Sequence, residues 1–286
     1  MRSRREHIEL RAVRCALVVV MCSRRARGLR ELREGVLVLL LLPPSETKRP
    51  GGRRAPLAMD RLAFPQLTPQ REQVVDALVA LCADEDEAAR VLKLSDRQRG
   101  DIADNAVLWT GRTMAAVDRY TGVLFDALDA PTLDAAARRW LGAHALIHSA
   151  PFGPVGALDH IPAYRLAAGT SLPGLPPLRR LWADAVTAAL ADSRPRFVLD
   201  LRSEAYAALG PVPESVESVY LRVVTPSPDG AVRALNHFNK HAKGALVRQL
   251  ATERPRIGST AAFRRWAEAA GLVLQDGAPG ELALVV

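Results

Sequence analysis

The sequence predicts an α+β fold: a single domain with a mixed sheet, hairpins and surrounding helices. Three observations lead there. Seven apolar residues, Val36 to Leu42, end abruptly at Pro43-Pro44, as a strand buried on both faces would. Several later segments carry apolar residues at i, i+3, i+4 and i+7, the stripe of a helix lying on a core. Hairpin signals such as Pro226-Ser227-Pro228-Asp229-Gly230 interrupt the helices, so strict βαβ alternation is absent.

In chain order, the strand Val36–Leu42 feeds a polar loop of Ser45, Glu46, Thr47, Lys48 and Arg49, closed by Pro50-Gly51-Gly52. A loop held by a rigid strand is a common place for a binding site. Thr68-Pro69 opens a helix through Val74, Val75, Leu78, Val79 and Leu81. Asp84 to Glu87 put acid on the first turn of the next helix, where the dipole favours it. Ala88–Leu94 and Arg97–Leu108, joined at Ser95-Asp96, read as a helical hairpin. Its turn lacks the glycines that let a backbone approach phosphate, so ordinary packing accounts for it. Tyr120-Thr121-Gly122 breaks the chain before the apolar stretch Val123–Leu128. Pro131-Thr132 is read as the cap of a helix Leu133–Leu141, Ala143–Ala150 as a strand, and residues 151–156 as a turn-rich loop. A helix Leu178–Leu190, a strand Phe197–Leu201 and a hairpin Val219–Thr225 with Ala231–Leu235 follow. Helices Asn239–Glu253 and Thr260–Ala269 and a hairpin of Leu272–Gln275 with Glu281–Val285 complete the chain.

Charge separates the N-terminal segment from the rest. Residues 1–35 hold ten Arg and four Glu, net +6 of the chain's +8. Residues 36–286 keep 29 basic against 27 acidic side chains, net +2. The segment has no clear helical or strand period. Its short apolar core, Ala16–Met21, is followed at once by Arg24, Arg25 and Arg27, which suits neither a secretory leader nor a membrane span. A basic arm for nucleic acid is one reading. The favoured one is a mis-assigned start, with residues 1–35 an extension outside the domain formed by residues 36–286. Cys82 is the lone cysteine of that domain, which excludes a disulfide framework and a cysteine-rich zinc site. No membrane partner is expected, and the cytoplasm is the expected compartment.

Few motifs carry chemistry. Neither G-x-x-x-x-G-K-[ST] nor G-x-G-x-x-G is present, and Ser203 lacks the G-x-S-x-G elbow. No cofactor is expected. His237 and His241 stand four apart without a third ligand nearby, and His144 with His148 reads as a pair on one strand, so no metal site is expected. Lys240 and Lys243 lie near the predicted start of a helix, where cations oppose the dipole. Tolerating that cost points to an anionic partner held by the amines and the free N–H groups. Ala242, Ala245, Leu246 and Leu250 are expected on the helix's inner face.

The ordered segments LLLLPPSETKRPGG, DRYTGVLFDAL, SAPFGPVGALDHIPAYRLAAG, LRRLW, VLDLRSEAY and NHFNKHAKG resemble the YaaA-type peroxide stress proteins across Val36–Val286. The resemblance implies a cytoplasmic α+β protein with a positively charged cleft. It implies double-stranded DNA binding and limitation of iron-driven damage during peroxide stress. The matching positions are Ser45, Thr47 and Lys48; Tyr120, Thr121 and Gly122; Tyr164 and Arg165; Asp200, Glu204 and Tyr206; and Lys240, Lys243 and Gly244. Ala150-Pro151-Phe152-Gly153 departs from a leucine–tyrosine–glycine run in relatives, and net +2 is modest for a DNA-binding domain. An enzyme acting on a phosphorylated or nucleotide-like ligand in the same cleft is the alternative. The expected cleft comprises Ser45, Thr47, Lys48, Tyr120, Thr121, Gly122, Tyr164, Arg165, Glu204, Lys240 and Lys243, drawn together by one anionic ligand.

Overall fold

The apolar run after the basic segment becomes strand β1, Val38–Leu42, with all five side chains buried. A computed structural model describes residues 37–226, 232–233 and 236–286. The basic extension, residues 1–35, and the expected turn at residues 227–230 lie outside the described residues. The other strands are β2 (Met114–Ala115), β3 (Ala145–Ser149), β4 (Gly153–Gly156), β5 (His160–Ile161), β6 (Phe197–Asp200), β7 (Ser218–Pro226), β8 (Val232–Arg233), β9 (Val273–Asp276) and β10 (Glu281–Val285). The helices are α1 (Thr68–Leu81), α2 (Glu85–Leu92), α3 (Asp101–Ala106), α4 (Ala116–Arg119), α5 (Val123–Leu128), α6 (Ala135–His144), α7 (Leu178–Ser193), α8 (Glu204–Ala207), α9 (Asn236–Glu253) and α10 (Thr260–Ala269). Helices packed around a main mixed sheet, with a separate two-stranded sheet of β2 and β5, make the α+β class expected from the sequence.

The main sheet runs β4-β3-β1-β6-β7-β10-β9, with β8 paired to the end of β7. Its interior strands β3, β1, β6, β7 and β10 are mutually parallel. The edges β4 and β9 are antiparallel to their neighbours. Parallel strands need cover on both faces, which explains the unbroken VLLLL of β1 and FVLD of β6. The chain leaves β1 for β3 on one side, and leaves β6 for β7 on the other. Neighbouring strands whose connections diverge open a crevice at their carboxyl ends. Here that switch point falls between β1 and β6, at the ends marked by Leu42 and Asp200.

Local chemistry moves several boundaries. Asp134, not Pro131-Thr132, caps α6: its carboxylate accepts from Ala137 N at 2.6 Å. Pro131 and Thr132 belong to a preceding 3-10 turn, Ala130–Thr132. The helix then runs to His144, whose ring stacks on Trp140 with centroids 4.2 Å apart. His144 therefore ends a helix while His148 sits in β3, and the two do not share a strand face. Residues 153–156, expected as loop, form β4 against β3. Pro154 is tolerated there because β4 is an edge strand. The second arm of the expected helical hairpin is a 3-10 turn, Asp96–Gln98, and the short α3. Helix α9 starts at Asn236, not Asn239, so Lys240 and Lys243 lie beyond its first turn and the dipole argument for them does not apply. Its inner face is Lys243, Gly244, Leu246, Val247 and Leu250, whereas Ala245 is exposed.

Side chains lock the layers. Val74, Val75, Leu78 and Leu81 of α1 are buried, and so is Arg71 on the same helix. Arg71 donates to the carbonyls of Phe64, Phe152 and Pro154, fastening α1 to the β3–β4 turn. Trp182 of α7 donates its indole N–H to Ala150 O at 3.0 Å, beyond the end of β3.

Candidate functional site

Pro43-Pro44 cannot extend the ladder, so the chain turns at the end of β1. The following loop folds back on itself: Lys48 Nζ donates to Ser45 O at 3.0 Å and to Glu46 O at 3.2 Å. Lys48 also forms an antiparallel bridge with Tyr120, and Thr121 N donates to Thr47 O at 3.2 Å. Ser45 Oγ lies 3.3 Å and Thr121 Oγ1 3.0 Å from Thr47 Oγ1, so three hydroxyls form one cluster. Gly122 closes the approach with φ +90°, and a Cβ there would come within 3.3 Å of both Ser45 Oγ and Thr47 Oγ1. The positive φ favours glycine at this position, and a Cβ would press the two hydroxyls aside by a few tenths of an ångström.

Beneath the loop lie two buried phenols. The Tyr120 and Tyr164 hydroxyls are 2.7 Å apart. Lys48 Nζ stands 3.9 Å from the Tyr164 ring centroid and 5.5 Å from that of Tyr120. Burial pushes both phenols above their ordinary range, so they stay protonated. Arg165 follows Tyr164. Its guanidinium pairs with Glu46 at 3.1 Å and its main chain is clamped on both sides by Asn105. Desolvation is the main reason that the Lys48 amine falls to about 7. Repulsion from Arg165 adds to it, Asp101 and Glu46 partly offset it, and Arg119 lowers the amine further.

A second cluster occupies the end of β6. Asp200 is in register with Leu41, and Leu201 N donates to Leu41 O at 2.8 Å, so it adjoins the loop after β1. Arg202 is buried and donates to Asp200 Oδ1 and Oδ2 at 2.9 and 2.6 Å, to His148 Nδ1 at 2.9 Å and to Gly210 O at 2.9 Å. The imidazole must be neutral to accept that bond. Burial and the guanidinium hold His148 well below its usual range. Lys243, 6% exposed, has its Nζ 5.5 Å from the Tyr220 ring centroid. Burial lowers its amine to about 8, with Asp200 raising it and Arg222 lowering it. Arg222 bridges Glu204 at 2.9 Å and Glu281 at 2.7 Å. A cavity of about 330 Å³ is lined by Asp200, Arg202, Val212 and Tyr220 among others.

The loops thus join Ser45, Thr47, Lys48, Tyr120, Thr121, Gly122, Tyr164 and Arg165 through direct contacts. Glu204 and Lys243 belong to the neighbouring cluster. Lys240 is exposed on α9 and does not share the buried position of Lys243. Sequence reasoning left out Asn105, Asp101 and Arg119, which hold or tune the site from helices α3 and α4. Only a buried arginine directly before Tyr120 marks one of them, and burial is not written in residue type. Among the described residues no group of three His, Cys, Asp or Glu is placed to hold a metal ion. No helix among them is long and apolar enough to cross a membrane.

Comparison with known proteins adds the family. A family model described as "Peroxide stress protein YaaA" matches residues 38–276, beginning at the first residue of β1. A UPF0246 protein of Corynebacterium efficiens is 45% identical over 256 residues, covering 87% of this chain and all of the relative. One from Corynebacterium glutamicum is 42% identical, covering 84% of this chain and 95% of its own length. One from Streptomyces coelicolor is 43% identical, covering 74% of this chain and 82% of its own. The chain belongs to the YaaA family of peroxide stress proteins.

Proposed function

We propose that the protein serves the peroxide stress response in the cytoplasm by binding double-stranded DNA and limiting iron-driven oxidation of it. One observation carries this reading: exposed arginines gather where the loop after β1 meets the residues before β2. The buried Arg119 guanidinium donates to the carbonyls of both Arg49 and Arg112, so these two backbones lie side by side. Arg54 N donates to Thr113 O at 3.1 Å, bringing Arg53 and Arg54 alongside. Arg49, Arg53, Arg54 and Arg112 are all exposed. Guanidinium groups bind phosphate oxygens in a planar, forked geometry. Cations bound there displace the counterion atmosphere of the duplex. Ferrous ions held in that atmosphere would be displaced with it, which removes the site of hydroxyl radical formation from the backbone.

The test replaces all four arginines by Gln. Binding should weaken similarly across unrelated duplexes, and the log–log salt slope should fall by about 0.9 for each phosphate no longer neutralised. Protection of duplex from ferrous iron and peroxide should fall with it. Unchanged affinity and slope would end the reading.

The position of the hydroxyl cluster at the divergent strand ends favours a second reading, an enzyme acting on a phosphorylated or nucleotide-like ligand. Binding of such a ligand would depend far less on salt than binding of duplex does.

A further inference from the structure

The protein contains only four lysines, Lys48, Lys93, Lys240 and Lys243, against 35 arginines. Arginine therefore supplies nearly every cation the fold needs, including buried ones such as Arg71, Arg119 and Arg202. A guanidinium stays charged at every pH a protein meets, whereas an amine can lose its proton and expose a lone pair. At the half-buried Lys48 the chain uses an amine where it elsewhere uses a guanidinium.

Lys48 is placed to use that property. It follows the interior strand β1, at the carboxyl ends of parallel strands whose connections diverge. Its two carbonyl partners, Ser45 O and Glu46 O, take two N–H groups of the amine. With Cε as the third substituent, the neutral amine has its lone pair fixed in the one remaining tetrahedral direction. The Ser45, Thr47 and Thr121 hydroxyls, clustered on the same loop and the segment bridged to it, offer donors and acceptors for a polar ligand. The groups facing the amine are the Tyr164 and Tyr120 rings and the charged Arg165, Asp101, Glu46 and Arg119, with burial the largest influence on it and Arg165 the next.

We propose that Lys48 is an amine nucleophile that forms an imine with a small polar aldehyde or ketone. The nitrogen lone pair bonds to the carbonyl carbon as the C=O π bond breaks, and one amine proton passes to the oxygen, giving a carbinolamine. The hydroxyl then leaves with the remaining N–H proton as water, and the C=N bond forms. Water re-enters to reverse both steps, so no oxidant or reductant is consumed. This chemistry goes beyond the DNA reading, which rests on exposed arginines and does not need the amine.

The experiment uses the full chain, glyceraldehyde as carbonyl probe and sodium cyanoborohydride, whose hydride reduces the imine to a stable secondary amine. Peptide mapping then compares Lys48 with the exposed Lys93 and Lys240 in the same sample. At pH 7 Lys48 should be modified at least about tenfold faster, because ordinary lysines are almost wholly protonated there. Its rate should level off above about pH 7, while the exposed lysines continue to gain as pH rises toward their ordinary value. Lys48→Arg should abolish that label and leave Lys93 and Lys240 unchanged. A Lys48 that reacts no faster than Lys93 and Lys240, or that follows their pH profile, would overturn the proposal. Both comparisons are internal to the unaltered protein, so they hold whether or not the variant folds.

Discussion

Gly244 of α9 rests against the carbonyl of Leu124 in α5 so closely that a Cβ there would overlap the carbonyl oxygen. Alanine normally favours a helix over glycine by about 1 kcal/mol. Here the clash is with backbone, which cannot rotate away, and overpacking costs about 1–3 kcal/mol or more. Gly244→Ala should therefore lower stability in thermal melts despite its better helix propensity. An unchanged or raised Tm would show that the two helices can separate freely.

Asp200→Ala should be among the most damaging substitutions. It leaves the Arg202 guanidinium, whose side chain is 1% exposed, without its carboxylate. Stranding a buried charge costs about 3–5 kcal/mol. Urea titration should show a large drop in midpoint, and a midpoint unchanged from the parent would contradict the pairing.

Acid should weaken the fold through His148. Its folded value lies well below 6.5 because of burial and Arg202. The unfolded chain therefore takes up the proton first as pH falls. The contribution is complete at pH 7 and is lost below about 6.5, by at most about 1.4 kcal/mol per pH unit. His144 and His160 are also lowered and act in the same direction. His148→Gln should flatten, without abolishing, the decline in Tm between pH 7 and 5. An identical slope in the variant would assign the decline elsewhere.

Removing Met1–Gly35 should leave Tm within about 3 °C, a shift of no more than about 1.5 kcal/mol for a domain this size. Strand β1 completes its pairing with β3 and β6 from Val38 onward. A large fall in Tm on deletion would show that the basic segment is part of the folded unit.

Much of this fold is legible in the sequence because apolar period and turn chemistry are local. The VLLLL strand, the α1 stripe and the terminal hairpin all reflect residues close in sequence. The boundary at residues 135–145 is not, because ALIHS and the preceding helix are both apolar. Only the Asp134 cap and the stacking of His144 on Trp140 separate them. Strand β4 is hidden by its glycines and proline, which pairing with β3 overrides. For the candidate site, the polar loop and the tyrosine-containing breaks mark the contacting segments. The burial of Lys243 is written in its phase, three, four and seven residues before Leu246, Val247 and Leu250, but a lysine there reads as a solvated charge. The clamp of Arg165 by Asn105 links positions sixty residues apart and leaves no local trace.

The placement of β1 also bears on how the chain reaches this state. Among the described strands it is the first of the sheet to be synthesised and it is an interior one, yet Leu40 pairs with Ala145 and Val38 with Phe197. Both contacts close loops on the order of a hundred residues or more, and their entropy must be spent before pairing returns anything. Refolding from denaturant should accordingly be slow and topology-limited, in contrast to the rapid kinetics of local helical packing. During translation this apolar strand waits for partners made more than a hundred residues later, which exposes it to aggregation in the interval.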